Sequence, residues 1–252
     1  MINSNLVVII PFYNEEKRLE TNLILMKEIL SISSLILIND GSTDSTLKVL
    51  TEFHKKNEKN TYLLSNKINI GKAESLRLGF NFGLREGFKF MAFTDGDFST
   101  PPHEIIRFIE RVINENFDIV CASRTSRYSE SIKTTLIRRT MGRLFTYSVK
   151  KLLKIQLSDS QCGMKLFKAT DNLKESLNNP FLNPWLFDVE IILRNISLNN
   201  SILIYENKLD SWIHKPGSKI RFLDPFKMLR DLLILRSKYK TYKTNLISIG
   251  QI

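Results

Sequence analysis

Phe90-Met91-Ala92-Phe93-Thr94-Asp95-Gly96-Asp97 decides how the chain is read: an apolar run that stops abruptly in two carboxylates one residue apart. A short apolar run of this kind reads as a buried strand, and its end in Asp and Gly reads as a strand terminus. In parallel α/β sheets, ligands sit beyond the carboxyl ends of the strands, so Asp95 and Asp97 point where a ligand would be. Two carboxylates at this spacing can hold a hard divalent cation, which can bridge the phosphates of a nucleotide. Taken alone, the tripeptide reads equally well as a solvated turn.

The same strand-then-helix unit recurs on both sides. Leu6 to Pro11 reads as a strand, and Glu15 to Leu30 follows with Leu19, Leu23, Met26 and Ile29 or Leu30 at helical spacing. Leu35 to Asn39 and Thr61 to Ser65 are strand-like, followed by helical Ser45 to Phe53 and Lys72 to Glu86, the latter with a small-residue face at Gly79 and Gly83. Phe90 to Thr94, His103 to Glu115 and Ile119 to Ser123 extend the pattern, which predicts an α/β fold with a mostly parallel sheet. After about residue 124 the rhythm changes. Thr134 to Ile155 reads as a long amphipathic helix, with Arg139, Arg143, Lys150 and Lys154 opposite Ile137, Met141, Leu144, Phe145 and Leu152. A strand at Met164 to Phe167, a helix at Phe187 to Leu198, a strand at Ile202 to Glu206 and a basic amphipathic helix at Pro225 to Tyr239 complete the chain. With no repeat or low-complexity linker, residues 1–252 are expected to form one domain of two halves, 1–124 and 125–252.

Bulk properties narrow the classes. A chain of 252 residues with 42% hydrophobic content can bury a full core, which excludes a disordered tail. The 37 Lys and Arg against 26 Asp and Glu give a formal net charge of +11, favouring anionic partners such as nucleic acid, acidic lipid or phosphorylated ligands. Nucleic acid is set aside because the basic residues are not interleaved with aromatic stacking positions in a known module. Cys121 and Cys162 have no metal-ligand spacing and suit a reduced, cytosolic compartment. Leu6 to Ile10 is too short for a secretion signal, and no stretch approaches the ~20 apolar residues that span a bilayer. Any membrane contact is therefore expected to be peripheral.

Two further strand ends are acidic: Pro11-Phe12-Tyr13-Asn14-Glu15-Glu16 and Asn39-Asp40-Gly41-Ser42-Thr43-Asp44. Each can be read separately as a helix cap, with Asn14 or Asp44 accepting from free backbone N–H groups. Three acidic ends on one edge of one sheet concentrate like charge, which calls for a cation or a hydrogen-bonding ligand. Arg124 follows Ile119 to Ser123 at another strand end, where it could neutralise phosphate or sit in an ion pair.

The runs VVIIPFYNEE, ILINDGSTDST, NIGKAESLRLGF and FTDGDFSTPP, in that order, resemble glycosyltransferase family 2. The resemblance implies the GT-A fold, a nucleotide-binding α/β sandwich with a mostly parallel central sheet flanked by helices. It implies that Pro11, Tyr13, Glu15, Asp40 and Ser42, with Asn14 beside them, hold the base and ribose of a nucleotide-sugar donor. Asn69, Gly71 and Lys72 would lie along the nucleotide. Asp95, beside Gly96, would contact ribose or metal, and Asp97 would be the principal ligand of Mg²⁺ or Mn²⁺. Relatives acting on lipid phosphates commonly read DADLQ where this chain has DGDFS, so Ser99 leaves a third protein ligand open.

The segment DSQCGMKLF, Asp159 to Phe167, resembles the DTQCGFKLF of dolichyl-phosphate glucosyltransferases. It implies an inverting transfer of a hexose, with glucose from UDP-glucose as the first expectation, to a polyprenyl or dolichyl phosphate in cell-envelope glycan synthesis. Asp188, in Trp185-Leu186-Phe187-Asp188-Val189-Glu190, occupies the place of the family's acidic catalytic motif. Carboxylates at a helix start are also favoured by its dipole. A hydroxyl acceptor needs a general base, whereas a lipid phosphate is already ionised and needs cations. Arg124, Arg138, Arg139, Gln161 and Lys219 are the candidates for the acceptor. The two basic amphipathic helices, near 134–155 and 225–239, have the composition of interfacial helices, implying a cytoplasmic protein held peripherally on a membrane. The alternatives are a family 2 enzyme that glycosylates a glycan hydroxyl, and an inactive nucleotide-sugar sensor. Oligomeric state is not legible.

Overall fold

The computed structural model describes residues 4–124, 136–199, 201–213 and 225–239, with the side chains of 136–143 and 225–228 outside the description. The first half runs β1 (Leu6–Phe12), α1 (Glu16–Ile29), β2 (Ser34–Asp40), α2 (Thr46–Lys56), a 3₁₀ turn (Glu58–Asn60), β3 (Thr61–Asn66), α3 (Lys72–Arg85), β4 (Phe90–Phe93), α4 (Pro102–Val112) and β5 (Ile119–Ser123). The second half adds α5 (Leu136–Leu153), β6 (Lys165–Lys168), α6 (Asp171–Ser176), α7 (Phe187–Leu198), β7 (Ile204–Lys208) and α8 (Pro225–Lys238).

The strands form one sheet in the order β3-β2-β1-β4-β6-β5-β7. All neighbours are parallel except β6, which runs antiparallel to both β4 and β5. The mostly parallel sheet agrees with the periodicity of the sequence. The reversal of β6, the short helix α6 and the 3₁₀ turn do not appear in that reading, because three to six residues carry too little periodicity to reveal direction or type.

Both faces of the sheet are covered, which explains the unbroken apolar runs. In β1, Val7 and Ile9 join one buried cluster with Leu76 and Phe80 of α3, Phe145 and Val149 of α5, and Ile191 and Ile192 of α7. Leu6, Val8 and Ile10 join the opposite cluster with Leu19 and Met26 of α1, Leu50 of α2, and Ile105 and Phe108 of α4. Each such side chain contributes ~1.5–3 kcal/mol when fully removed from water, so the three-layer sandwich is held from both faces.

The two basic helices pack on each other and on the first cluster through Phe145, Val149 and Leu153 of α5 and Leu232 and Leu235 of α8. Their outer faces expose Leu144 and Tyr147, and Leu229, Leu233 and Ile234. Leu144, read from periodicity as part of the inward apolar face with Phe145, is 56% exposed. No helix among the described residues is long and apolar enough to cross a membrane.

Helix α3 lies unusually close to the sheet. A Cβ on Gly79 would stand 2.6 Å from Ile9 Cγ2 and 2.7 Å from Ile38 Cδ1, distances that packed atoms do not tolerate. We expect Gly79→Leu to push α3 off β1 and β2 and to cost about 1–3 kcal/mol or more of stability. A urea midpoint unchanged from wild type would show that this contact does not set the helix position.

Candidate active site

The chain passes from β1 outward to β2 and β3, then returns to the other side of β1 as β4. Such a reversal in strand order marks the region beyond the carboxyl ends of β1 and β4 as the usual ligand position in open α/β sheets. Asp95, Gly96 and Asp97 follow β4 at that edge. Gly96 seats the turn on the end of β1, since a Cβ there would lie 2.6 Å from the Pro11 carbonyl oxygen. Asn22 of α1 holds the turn by donating to the Gly96 carbonyl at 2.8 Å.

The two carboxylates have different neighbours. Asp97 Oδ1 accepts the Ser99 backbone N–H at 2.9 Å, a local turn that fixes its direction. Asp95 Oδ1 is paired with Lys72 Nζ, and both side chains are about one-third exposed. Burial alone would lower the Lys72 pKa, but the attraction of Asp95 and Asp188 outweighs it and keeps the ammonium charged above its ordinary range. The other oxygen of Asp95 faces Gly163, whose Cβ, if it had one, would lie 2.1 Å from Oδ2. The backbone at Gly163 therefore fills one side of the carboxylate.

This approach follows from the direction of β6. An antiparallel strand begins at the edge where its parallel neighbours end, so the segment before β6 falls against the residues after β4 and β5. Asp159 in that segment accepts from Arg124 Nε at 2.6 Å, Nη2 at 2.8 Å and backbone N at 3.1 Å. Desolvation would raise the Asp159 pKa, but the Arg124 guanidinium holds it below the usual carboxylate range. Arg124 is in turn held firmly charged, since Asp159 outweighs its own desolvation, and it also feels the field of Asp95. Its other side lies 5.3 Å from the centroid of the Trp212 ring. The segment is anchored from below by Glu206 of β7, which accepts the backbone N–H groups of Ser158 and Asp159 at 2.8–2.9 Å. Gln161 in the same segment reaches the Trp185 carbonyl at 3.4 Å.

Asp188 lies in the first turn of α7, where the sequence placed a candidate base. The structure pairs it with a lysine. Lys165 Nζ, fully buried, donates to Asp188 Oδ1 and the Cys162 carbonyl at 2.8 and 2.9 Å. Desolvation would lower the Lys165 pKa, but Asp188 outweighs it and the ammonium stays charged. Asp188 is thus the counter-ion of a buried cation, and breaking that pair would strand the charge.

At the β2 end the acid is engaged by the protein itself. Asp40 is nearly inaccessible, and its carboxylate accepts from Asn66 and Asn69 side chains and from Ile70 and Gly71 N–H groups at 2.9–3.1 Å. Four donors occupy the ~4 acceptor positions of a carboxylate, so Asp40 shapes the 66–71 loop. Gly41, at φ 66°, lets that loop cross, because a Cβ there would stand 2.2 Å from the Ile68 carbonyl carbon. Gly71 precedes α3 at φ 90° and Lys72 opens the helix.

Pro11 and Tyr13 lie at the end of β1 and just beyond it, partly exposed. Asn14, at φ 52°, accepts the Thr43 N–H at 2.9 Å and donates its own N–H to Ser42 Oγ at 3.1 Å. The Glu15 N–H is bound by Thr46 Oγ1, and Glu15 pairs with Arg18. Asp44 bridges the starts of α1 and α2, accepting from Glu16 N and Thr46 N. Ser42 and Asn14 thus stitch the ends of β1 and β2 together. Arg138 and Arg139 fall in the first turns of α5, where side chains are outside the description, and Lys219 lies outside the described residues.

Among the described residues, no three His, Cys, Asp or Glu side chains cluster as a metal cage. Asp95 and Asp97 still fit a Mg²⁺-like ion, which is typically held by one or two carboxylates together with substrate phosphates. Cys121 and Cys162 are buried, and desolvation pushes both thiols up to about 12, so they are neutral. The residues that the sequence left without a role are Lys165, Glu206 and Trp212. Lys165 had a signal, being a lysine inside a buried apolar strand. Glu206 and Trp212 had none, since their partners are set by sheet order.

The family model "Glycosyl transferase family 2" matches residues 7–173. A dolichyl-phosphate beta-glucosyltransferase of Dictyostelium discoideum is 30% identical over 94% of this chain and 75% of its own length. A human protein of the same name is 30% identical over 94% of this chain and 76% of its own. A glucosyl-3-phosphoglycerate synthase from Mycobacterium tuberculosis, solved with Mn²⁺, UDP and phosphoglyceric acid, superposes with a TM-score of 0.60 at 15% identity, covering 97% of this chain and 80% of that one. That likeness shows the fold, a GT-A sandwich.

The Arg124–Asp159 pair can be probed by substitution. Asp159→Asn leaves Arg124 without its counter-charge, at a cost of about 1–2 kcal/mol, below a fully buried pair because the Arg124 side chain is 32% exposed. A carboxyl with a lowered pKa contributes its stability above the ordinary value of 3.8 and loses it as pH falls through the lowered value. Wild type and variant should therefore differ at pH 7, and the difference should begin to shrink below about pH 3.8 and vanish as pH falls through the lowered value. A difference that does not shrink in acid would assign the effect to something other than this carboxylate.

Proposed function

The chain belongs to glycosyltransferase family 2, and on that premise we propose that it moves glucose from UDP-glucose to a polyprenyl phosphate at the cytoplasmic face of a membrane. The observation that carries this reading is that the 159–163 segment joins two sites: Gly163 abuts Asp95 at the donor crevice, while Asp159 orients Arg124 beside it. A donor diphosphate and an acceptor phosphate can be met by separate groups a few residues apart. The names carried by relatives 30% identical over 94% of this chain support glucose and a lipid phosphate.

Asp97 and Asp95 would hold Mg²⁺ or Mn²⁺. That ion would neutralise charge building on the departing nucleoside diphosphate. Lys72, at the start of α3, is available to the same diphosphate, and the exposed rim at Pro11 and Tyr13 to the nucleoside. Arg124 keeps N–H donors beyond the two that Asp159 engages, and these suit the acceptor phosphate, with Arg138, Arg139, Gln161 and Lys219 as its further partners. The pairing of Asp188 with Lys165 favours this acceptor over a glycan hydroxyl, because an ionised phosphate attacks without giving up a proton.

The outer faces of α5 and α8 would rest on the membrane. Leu144, Tyr147, Leu229, Leu233 and Ile234 are exposed there beside Lys151, Arg230, Arg236 and Lys238. Apolar side chains entering the acyl boundary with cations at anionic head groups is the ordinary mode of interfacial helices.

Purified protein incubated with radiolabelled UDP-glucose, Mn²⁺ and polyprenyl phosphate should produce labelled lipid, and Asp97→Ala should lose at least about a hundredfold, a few kcal/mol of lost charge stabilisation. Label that appears only in a glycan would move the acceptor to a hydroxyl, and full activity of the variant would remove the metal reading. Leu233→Asp with Ile234→Asp should weaken sedimentation with phosphatidylserine vesicles while leaving the fold intact, because both side chains are about half exposed. Undiminished sedimentation would exclude α8 as the membrane contact.

A further inference from the structure

Lys72 is placed where a metal ion's charge would be. Its ammonium contacts Asp95 Oδ1, while Phe93 and Phe187 flank it at 5.6 and 5.4 Å from their ring centroids. Asp188, the other carboxylate near it, is engaged by Lys165. Asp95 cannot swing away toward Gly163, where the backbone already fills the space beside Oδ2. One carboxylate oxygen of the candidate metal pair is therefore held by a fixed monocation.

We propose that Lys72 acts as a gate on divalent-ion binding: it neutralises Asp95 in the free enzyme and yields that oxygen only when a nucleoside diphosphate arrives to receive its ammonium. This rests on the reading of Asp95 and Asp97 as the metal pair. An ammonium and a dication a few Å apart repel, so neither binds Asp95 well in the presence of the other. A diphosphate supplies negative charge to both, and the ion and the nucleotide then assist one another by the same factor. Free enzyme would hold its ion weakly, and loaded enzyme tightly, which ties assembly of the charged site to the presence of donor.

Mn²⁺ binding followed by electron paramagnetic resonance, without substrate turnover, tests this. Lys72→Met, whose apolar chain suits the two flanking rings, should bind Mn²⁺ about tenfold more tightly than wild type in the absence of nucleotide, about 1.4 kcal/mol. The tightening of Mn²⁺ binding that saturating UDP produces should shrink by a similar factor. Lys72→Arg, which keeps the charge, should resemble wild type. If Lys72→Met binds Mn²⁺ no better than wild type while Asp97→Asn abolishes binding, the gate is overturned and the metal pair stands. If Asp97→Asn leaves Mn²⁺ binding untouched, the metal pair itself is wrong, and the gate falls with it.

Discussion

Asp95, Asp159 and Asp188 stand near enough at one sheet edge for their charges to act on shared cations, and each is seated against a cation of its own. Lys72, Arg124 and Lys165 are those cations, and cross-attractions join the pairs: Lys72 also feels Asp188, Arg124 feels Asp95, and Asp159 feels Lys165. Gathering carboxylates at one point is costly unless each is compensated, because partial burial removes the water that would otherwise screen them. The rim is therefore a network in which altering one ion shifts the balance felt by the rest. An enzyme that must admit two anionic substrates has a use for this: the cations are already present and already fixed, and only their partners need to change.

Geometry that makes the network possible comes from the strand order. The strand order reverses at β1 and β4, and the antiparallel β6, lying between β4 and β5, delivers the segment before it to that same edge. Had β6 run parallel, residues 159–163 would lie at the opposite edge, and neither Asp159 to Arg124 nor Gly163 to Asp95 could meet. Glu206 then fixes the segment from β7, the strand on the far side of β5. The buried Lys165 ties it to α7 through Asp188 and the Cys162 carbonyl.

The parts of this that were legible in the sequence are those governed by local period. The apolar runs at 6–10, 35–38 and 119–122 gave strands because both faces are buried, and the helices between them gave 3.6-residue spacing. Thr94-Asp95-Gly96-Asp97 was visible because an apolar run ending in paired acids has few local explanations. What was not legible is set by pairing between distant segments. Asp40 reads as a ligand-facing acid, yet it is saturated by a loop some 30 residues away. Asp188 reads as a base, yet its neighbour across the core is Lys165. Charge-pair partners have no sequence period, so composition identifies the acids while the sheet order decides which of them are free.

That distinction separates carboxylates whose partners can change from those that shape the loops around them. Asp40 and Glu206 use their oxygens to cap backbone N–H groups, which fixes the loops that carry those groups. Asp95 and Asp97 lie just beyond β4, partly exposed, and among the described residues each has one charged or turn partner, Lys72 and the Ser99 N–H. Only carboxylates of this second kind can exchange a partner without leaving a buried polar group unsatisfied. On this physical ground the 95–97 turn is the part of the rim whose charge partners can change, while Asp40, Asp159, Asp188 and Glu206 hold the surrounding geometry.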